Sequence, residues 1–137
     1  MSGETDLSVL IRSMEPVLGA DRYGYVALPN GQSVPAGCTP FAVVCEDEGM
    51  TLIAPIEQLA ALGHAAETEW ARISLTVHSS LSAVGLTAAF ARALGDAGIS
   101  ANVIAGYFHD HIFVAWAQRE AAVTALQALA TAGGNNV

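Results

Sequence analysis

Between residues 72 and 78, apolar Ile73, Leu75 and Val77 alternate with Ser74, Thr76 and His78, and a few residues later the repeat lengthens. A period of two is that of a strand with one buried face. From about residue 82 to 96, Val84, Ala88, Ala91 and Leu94 recur together with Leu86, Phe90, Ala93 and Ala97, so a helix buried over a wide arc follows the strand. Ala97-Gly98 supplies its stop. Segments 99–108 and 112–117 are rich in β-branched and aromatic residues and flank a short polar stretch at Asp110, the pattern of a hairpin. After Gln118, Ala122, Val123, Leu126, Leu129 and Ala130 mark a second helix, to about residue 131. Strand, helix, strand, strand, helix is five of the six elements of a split βαβ unit, with the final strand missing.

The first half predicts a short helix over 7–14, strands over 23–28, 41–46 and 50–53, and a helix over 55–62 with Pro55 in its first turn. Pro29-Asn30-Gly31, Val34-Pro35-Ala36-Gly37 and Asp47-Glu48-Gly49 are reversals between strands. Two incomplete halves, 1–68 and 69–137, are therefore expected to share edges and pack as one unit, and open sheet edges favour a homodimer.

Charge excludes several partner classes. The chain has 53% hydrophobic and 13% charged residues and a mean hydropathy of +0.43, enough to bury a core. Thirteen acids face five basic residues, all arginine, for a formal −8; ten acids and two arginines fall in residues 1–69, three of each in 70–137. Nucleic acid and anionic membrane are unsuitable partners for such a chain. The charge-free stretch 73–91 carries Ser74, Thr76, His78, Ser79, Ser80, Ser82 and Thr87, too polar for a membrane span. Residues 1–10 lack the apolar run of a secretory signal. Cys38 and Cys45 form neither a metal motif nor a disulfide framework, so buried, inert thiols in a reducing cytoplasm are expected.

The segment from His78 to Gly85 joins a strand to a helix N-terminus, where unpaired N–H groups and the helix dipole favour a carboxylate. His78, Ser79, Ser80, Leu81, Ser82, Val84 and Gly85 are the candidate ligand residues there, with Asn102 on the next strand reaching toward them. The plainer reading is that Ser82 caps the helix and Gly85 eases packing. His109-Asp110-His111 is the metal suspect, with His109 and His111 two residues apart, yet zinc needs a further protein ligand and a plain hairpin tip accounts for the motif. Glu46-Asp47-Glu48 reads as a solvated turn, with Glu48 the member of interest. The chain lacks lysine, a G-x-S-x-G elbow and a Gly-rich phosphate loop, so no cofactor and no catalysis are expected.

The stretch VHSSLSAVGLTAAFARALGDAGISANVIAGYFHDHIFVA, with its loop glycine at Gly85 and Gly98-Ile99 opening the next strand, resembles an ACT domain. More closely, Glu46-Asp47-Glu48-Gly49-Met50-Thr51 and His109-Asp110-His111 resemble the motifs of small bacterial tandem ACT proteins related to the ACT modules of CASTOR proteins. The resemblance implies an α+β, ferredoxin-like fold in tandem, with helices on one face of an antiparallel sheet. It also implies a cytoplasmic regulatory protein that binds an amino-acid-like zwitterion between paired domains. The alternatives are a metal-dependent enzyme built on the His-Asp-His hairpin and an interaction module without a ligand.

Overall fold

In a computed structural model of the chain, the structure describes residues 6–77 and 84–132. Its elements are α1 (Leu7–Ser13), β1 (Pro16–Leu18), β2 (Tyr23–Leu28), β3 (Ala42–Cys45), β4 (Met50–Pro55), α2 (Ile56–Ala61), β5 (Trp70–Leu75), α3 (Leu86–Asp96), β6 (Asn102–Ala105), β7 (Asp110–Ala115) and α4 (Arg119–Ala132). A single 3₁₀ turn, Trp116–Gln118, precedes α4. The chain forms two compact units, residues 20–70 and residues 1–19 together with 71–137.

In the 71–137 unit the strand order is β1-β5-β7-β6. β1 runs antiparallel to β5, with Pro16 opposite Leu75, Val17 opposite Ser74 and Leu18 opposite Ile73. The strand missing from the sequence pattern is thus supplied by the N-terminal segment, beside the first strand of the unit, where the last strand of a split βαβ would lie. Nothing in Met14-Glu15-Pro16-Val17-Leu18 alternates, so its strand state comes from the edge it pairs with. Ala71, Ile73 and Leu75 of β5 pack with Phe90 and Leu94 of α3, Ile112 and Val114 of β7, Ala122 and Leu126 of α4, and Leu10, Ile11 and Met14. α1 is anchored at its start by Asp6, whose carboxylate accepts from the Val9 N–H at 3.2 Å.

In the 20–70 unit the order is β3-β4-β2. β2 pairs with β4 from Tyr23 opposite Pro55 to Leu28 opposite Met50, and β3 pairs with β4 from Ala42 to Cys45. Gly49 is required at the β3–β4 turn because a Cβ there would sit 2.6 Å from the Leu28 carbonyl oxygen. β4 and β7 carry the same burial sequence, buried at the first, third, fourth and fifth positions, and each runs directly into a helical turn. That correspondence, Met50–Pro55 with Asp110–Ala115, marks the two halves as repeats of one design.

Several expected boundaries move. The strand expected over 99–108 is confined to Asn102–Ala105, and that over 112–117 becomes Asp110–Ala115, because Asp110 pairs with Ala105 and Trp116 already starts the 3₁₀ turn. The thiols are not both buried as expected: Cys45 is exposed and Cys38 half-buried, since residues 43–45 of β3 all face solvent. Trp70 and Trp116 are only half-buried, whereas Phe90 and Phe113 are fully buried.

Phe90 is the largest fully buried side chain on α3. Phe90→Ala is expected to cost about 3–5 kcal/mol in denaturant unfolding, while Ser33→Ala, at an exposed position between β2 and β3, changes stability by less than about 0.5 kcal/mol.

Candidate functional site

In the 71–137 unit, β5 ends and α3 begins at one end of the sheet. α3 carries the chain back, so the β6–β7 hairpin turns at that same end. A direct link marks the proximity: Ser74 Oγ near the end of β5 and His111 Nδ1 at the start of β7 lie 2.8 Å apart. Gly106 lets the hairpin close over this imidazole. A Cβ at that position would be 2.9 Å from the His109 carbonyl oxygen and 3.4 Å from His111 Nε2, and the Gly106 N–H donates to the His109 carbonyl at 2.9 Å. Tyr107 and Phe108 stand exposed at the tip, ring centroids 5.1 Å apart in an edge-to-face pair.

Strand alternation separates the three residues of the His-Asp-His motif. Asp110 shares its face with Ile112 and Val114, which belong to the core under the helices; His111 points to the opposite face, beside Ser74. Asp110 is only 8% exposed, the one buried charged residue among those described, and it occupies the position that Met50 holds in the first repeat. Burial raises its carboxyl pKa above the ordinary value, with His109 pulling the other way. Burial lowers the pKa of His111, aided by the nearby Arg72 guanidinium and by His109. The His109 and His111 rings are 6.5 Å apart at 83°, and the buried His109 Nδ1 has no hydrogen-bond partner among the described residues.

This arrangement bears on both chemistries expected of the motif. Among the described residues no group of three His, Cys, Asp or Glu side chains could hold a metal ion. Ser74 and His111 superficially pair as nucleophile and base, but Arg72 weakens the imidazole as a base and the neighbouring carboxylate, Asp110, faces away from it.

Of the ligand residues expected from sequence, His78, Ser79, Ser80, Leu81 and Ser82 lie outside the described residues. Val84 is 83% exposed just before α3. Gly85 is the N-cap of α3 at φ +100°, and no side chain caps the helix there. The space its missing Cβ leaves is taken by Leu7, whose Cδ2 would be 2.9 Å away, so its need for glycine is conformational and steric. Asn102 begins β6 beyond the C-terminal end of α3; the 11 residues of that helix span about 16 Å at 1.5 Å per residue. Asn102 therefore sits at the far end of the unit from Gly85. Glu48 belongs to the other unit, exposed in the turn closed by the Glu46 N–H to Gly49 carbonyl bond at 2.8 Å, while the neighbouring Glu46 accepts from Thr51 Oγ1 at 2.7 Å. The structure brings Gly85 and the His109–His111 hairpin to one end, and adds Arg72 and Ser74, which sequence reading passed over. The signal for Ser74 was its outward place in the alternation of β5.

Two ACT-domain profiles match the chain, one over residues 2–70 and the other over residues 66–128. The chain belongs to the ACT-domain family. Among solved structures, this ACT protein is similar to a protein of unknown function from Vibrio cholerae described as a possible transport protein, with 44% identity and a TM-score of 0.82 over 90% of this chain and 95% of that one. It shares its fold with a protein from Agrobacterium tumefaciens (14% identity, TM-score 0.69, 85% and 89% of the two chains). The same holds for the regulatory subunit of aspartate kinase from Thermus thermophilus (14%, 0.59, 83% and 95%). No match was found among curated protein sequences. The ferredoxin-like, tandem ACT fold expected from the sequence is the fold observed.

The two titrating groups of the hairpin act with opposite signs. His111 is depressed on folding, so its contribution to stability is complete above its ordinary value of 6.5 and is lost as pH falls through its folded value. Asp110 is raised, so its contribution is complete below 3.8 and is lost as pH rises through its folded value. An NMR titration is expected to put the His111 midpoint below 6.5, and Arg72→Met is expected to move it upward.

Proposed function

We propose that this ACT protein is a non-catalytic regulatory module that binds an amino acid at the end of the 71–137 unit where α3 begins. The observation that carries the reading is Asp110: a carboxylate buried where the first repeat has Met50, on the helix-covered face. A buried carboxyl raised in pKa by desolvation gains most from a ligand ammonium. The N-terminus of α3, without a side-chain cap at Gly85, offers N–H groups to the ligand carboxylate. Tyr107 and Phe108 supply apolar surface for the rest of the ligand. No helix among the described residues is long and apolar enough to cross a membrane, which fits a cytoplasmic sensor.

A homodimer is part of the same reading. β3 is the outer strand of its sheet, and Val43 and Val44 on it are 40% and 46% exposed. Such an edge favours pairing with a second copy. Light scattering is expected to give a dimer, and Val44→Lys to shift it toward monomer.

A thermal-shift screen of the twenty amino acids tests the ligand. A true ligand at ~100 times its dissociation constant stabilises the fold by about 2.7 kcal/mol. Asp110→Asn is expected to weaken that ligand at least tenfold with the fold retained; undiminished binding would remove Asp110 from the site. Gly85→Val is the wrong probe, because its side chain strikes Leu7 and strains a positive φ whether or not a ligand binds.

A further inference from the structure

The phase of the β3–β4 ladder decides which backbone groups lie on the outer edge of β3. Glu46 and Gly49 bond each other reciprocally, Glu46 N–H to the Gly49 carbonyl at 2.8 Å and Gly49 N–H to the Glu46 carbonyl at 3.3 Å. Hydrogen-bonded and non-hydrogen-bonded pairs alternate along an antiparallel ladder. Counting from Glu46 and Gly49 through the register, Val44 with Thr51 and Ala42 with Ile53 are bonded pairs, while Val43 with Leu52 and Cys45 with Met50 are not. The N–H and C=O groups of Val43 and Cys45 therefore point away from β4, along an edge that has no strand partner among the described residues.

That edge lacks the devices that keep strands apart. β3 reads Ala42-Val43-Val44-Cys45, without proline or charge, and its last three residues are all exposed. The outer edge of β1 differs. Thr76 N–H bonds the Glu15 carbonyl at 3.1 Å, which by the same alternation makes Val17 and Ser74 the bonded pair and turns Pro16 outward, where it has no N–H to offer.

Outward groups two residues apart make β3 complementary to itself. A second copy turned about a two-fold axis at Val44 sets Val43 of each chain against Cys45 of the other, both as reciprocal hydrogen-bonded pairs. Val44 then meets its own equivalent on the axis as a non-hydrogen-bonded pair, Cα atoms about 4.5 Å apart with side chains in contact. Neighbouring registers lose one of these terms. An axis at Val43 places Cys45 against Phe41, whose N–H is already given to the Ile53 carbonyl at 2.7 Å. An axis at Cys45 brings the two copies of Glu46 to about 8 Å, within the screening length, whereas the axis at Val44 holds them about 14 Å apart. The remaining acids of the turn, Asp47 and Glu48, add to that repulsion.

We infer that two copies of this chain join edge to edge through β3, on a two-fold axis at Val44 that pairs Val43 of each with Cys45 of the other. The inference rests on the homodimer proposed above and adds its seam and register. The test uses the full chain, oxidised glutathione with non-reducing electrophoresis as one readout and light scattering of the reduced protein as the other. With Cys38→Ser and Cys45→Ser in the background, Val44→Cys is expected to form a disulfide-linked dimer at least tenfold faster than Val43→Cys. Across the axis the two Cα atoms of residue 43 lie about 8–9 Å apart, beyond the roughly 7 Å reach of a disulfide. Cys45, retained with Cys38→Ser, has the same separation and is expected to stay reduced. The amides of Val43 and Cys45 are expected to exchange with solvent at least tenfold more slowly in the wild-type dimer than in Val44→Lys. A chain that scatters as a monomer at every concentration would remove the homodimer and this inference with it. A dimer in which Val43→Cys or Cys45 cross-links as fast as Val44→Cys would leave the homodimer standing and overturn the register.

Discussion

The three-residue ladder between Pro16–Leu18 and Ile73–Leu75 is the constraint on which the C-terminal unit depends. Without it β5 has an unpaired edge and the unit has three strands for its helices to cover. The ladder is short, but it is supported on both sides: Gly19 N–H bonds the Arg72 carbonyl at 2.8 Å, Thr76 N–H bonds the Glu15 carbonyl at 3.1 Å, and Leu10, Ile11 and Met14 enter the core just upstream. Burial of those three side chains supplies the stabilisation that three backbone pairs alone would lack. In return, β5 is held in the register that sets Ser74 against His111, so the geometry of the hairpin end is inherited from a strand drawn from the other end of the chain.

At that end one motif does two unrelated things. Because a strand reverses its side chains at every residue, Asp110 and His111 are neighbours in sequence and occupants of different environments. Asp110 takes a core position, where burial raises its pKa, while His111 sits beside a hydroxyl and cationic neighbours, and burial and those charges lower its pKa. The three letters of the motif are therefore read on two faces of the strand. The internal repeat makes the point more sharply, since Met50 fills the equivalent position with no polar group to satisfy.

Much of the architecture was legible. The strand Tyr23–Leu28 lies over the residues expected, the helix after Gln118 emerges from its period, and Gly98 ends α3 as expected, with Gly98 N–H on the Gly95 carbonyl and Ile99 N–H on that of Leu94. What was not legible is what tertiary pairing imposes. β1 has no periodic signature, because three residues containing a proline cannot display one. Gly85 carries a loop-glycine signal, but the close contact with Leu7 that also asks for a glycine there is formed only in the folded chain. Asn102 appeared near the ligand loop because both flank α3 in sequence, yet the length of that helix separates them.

The interleaving of the units also sets an order of assembly. Residues 20–70 form a self-contained insert whose chain ends enter and leave beside the Gly19–Arg72 bond. During synthesis this insert is complete before any residue of β5 beyond Trp70 emerges, so β1 waits with its hydrogen-bonding groups unmatched until its partner follows. The N-terminal strand is made first and placed late. Contacts of such long sequence separation close slowly, which makes the docking of β1 and α1 the step most exposed to pairing with the wrong edge.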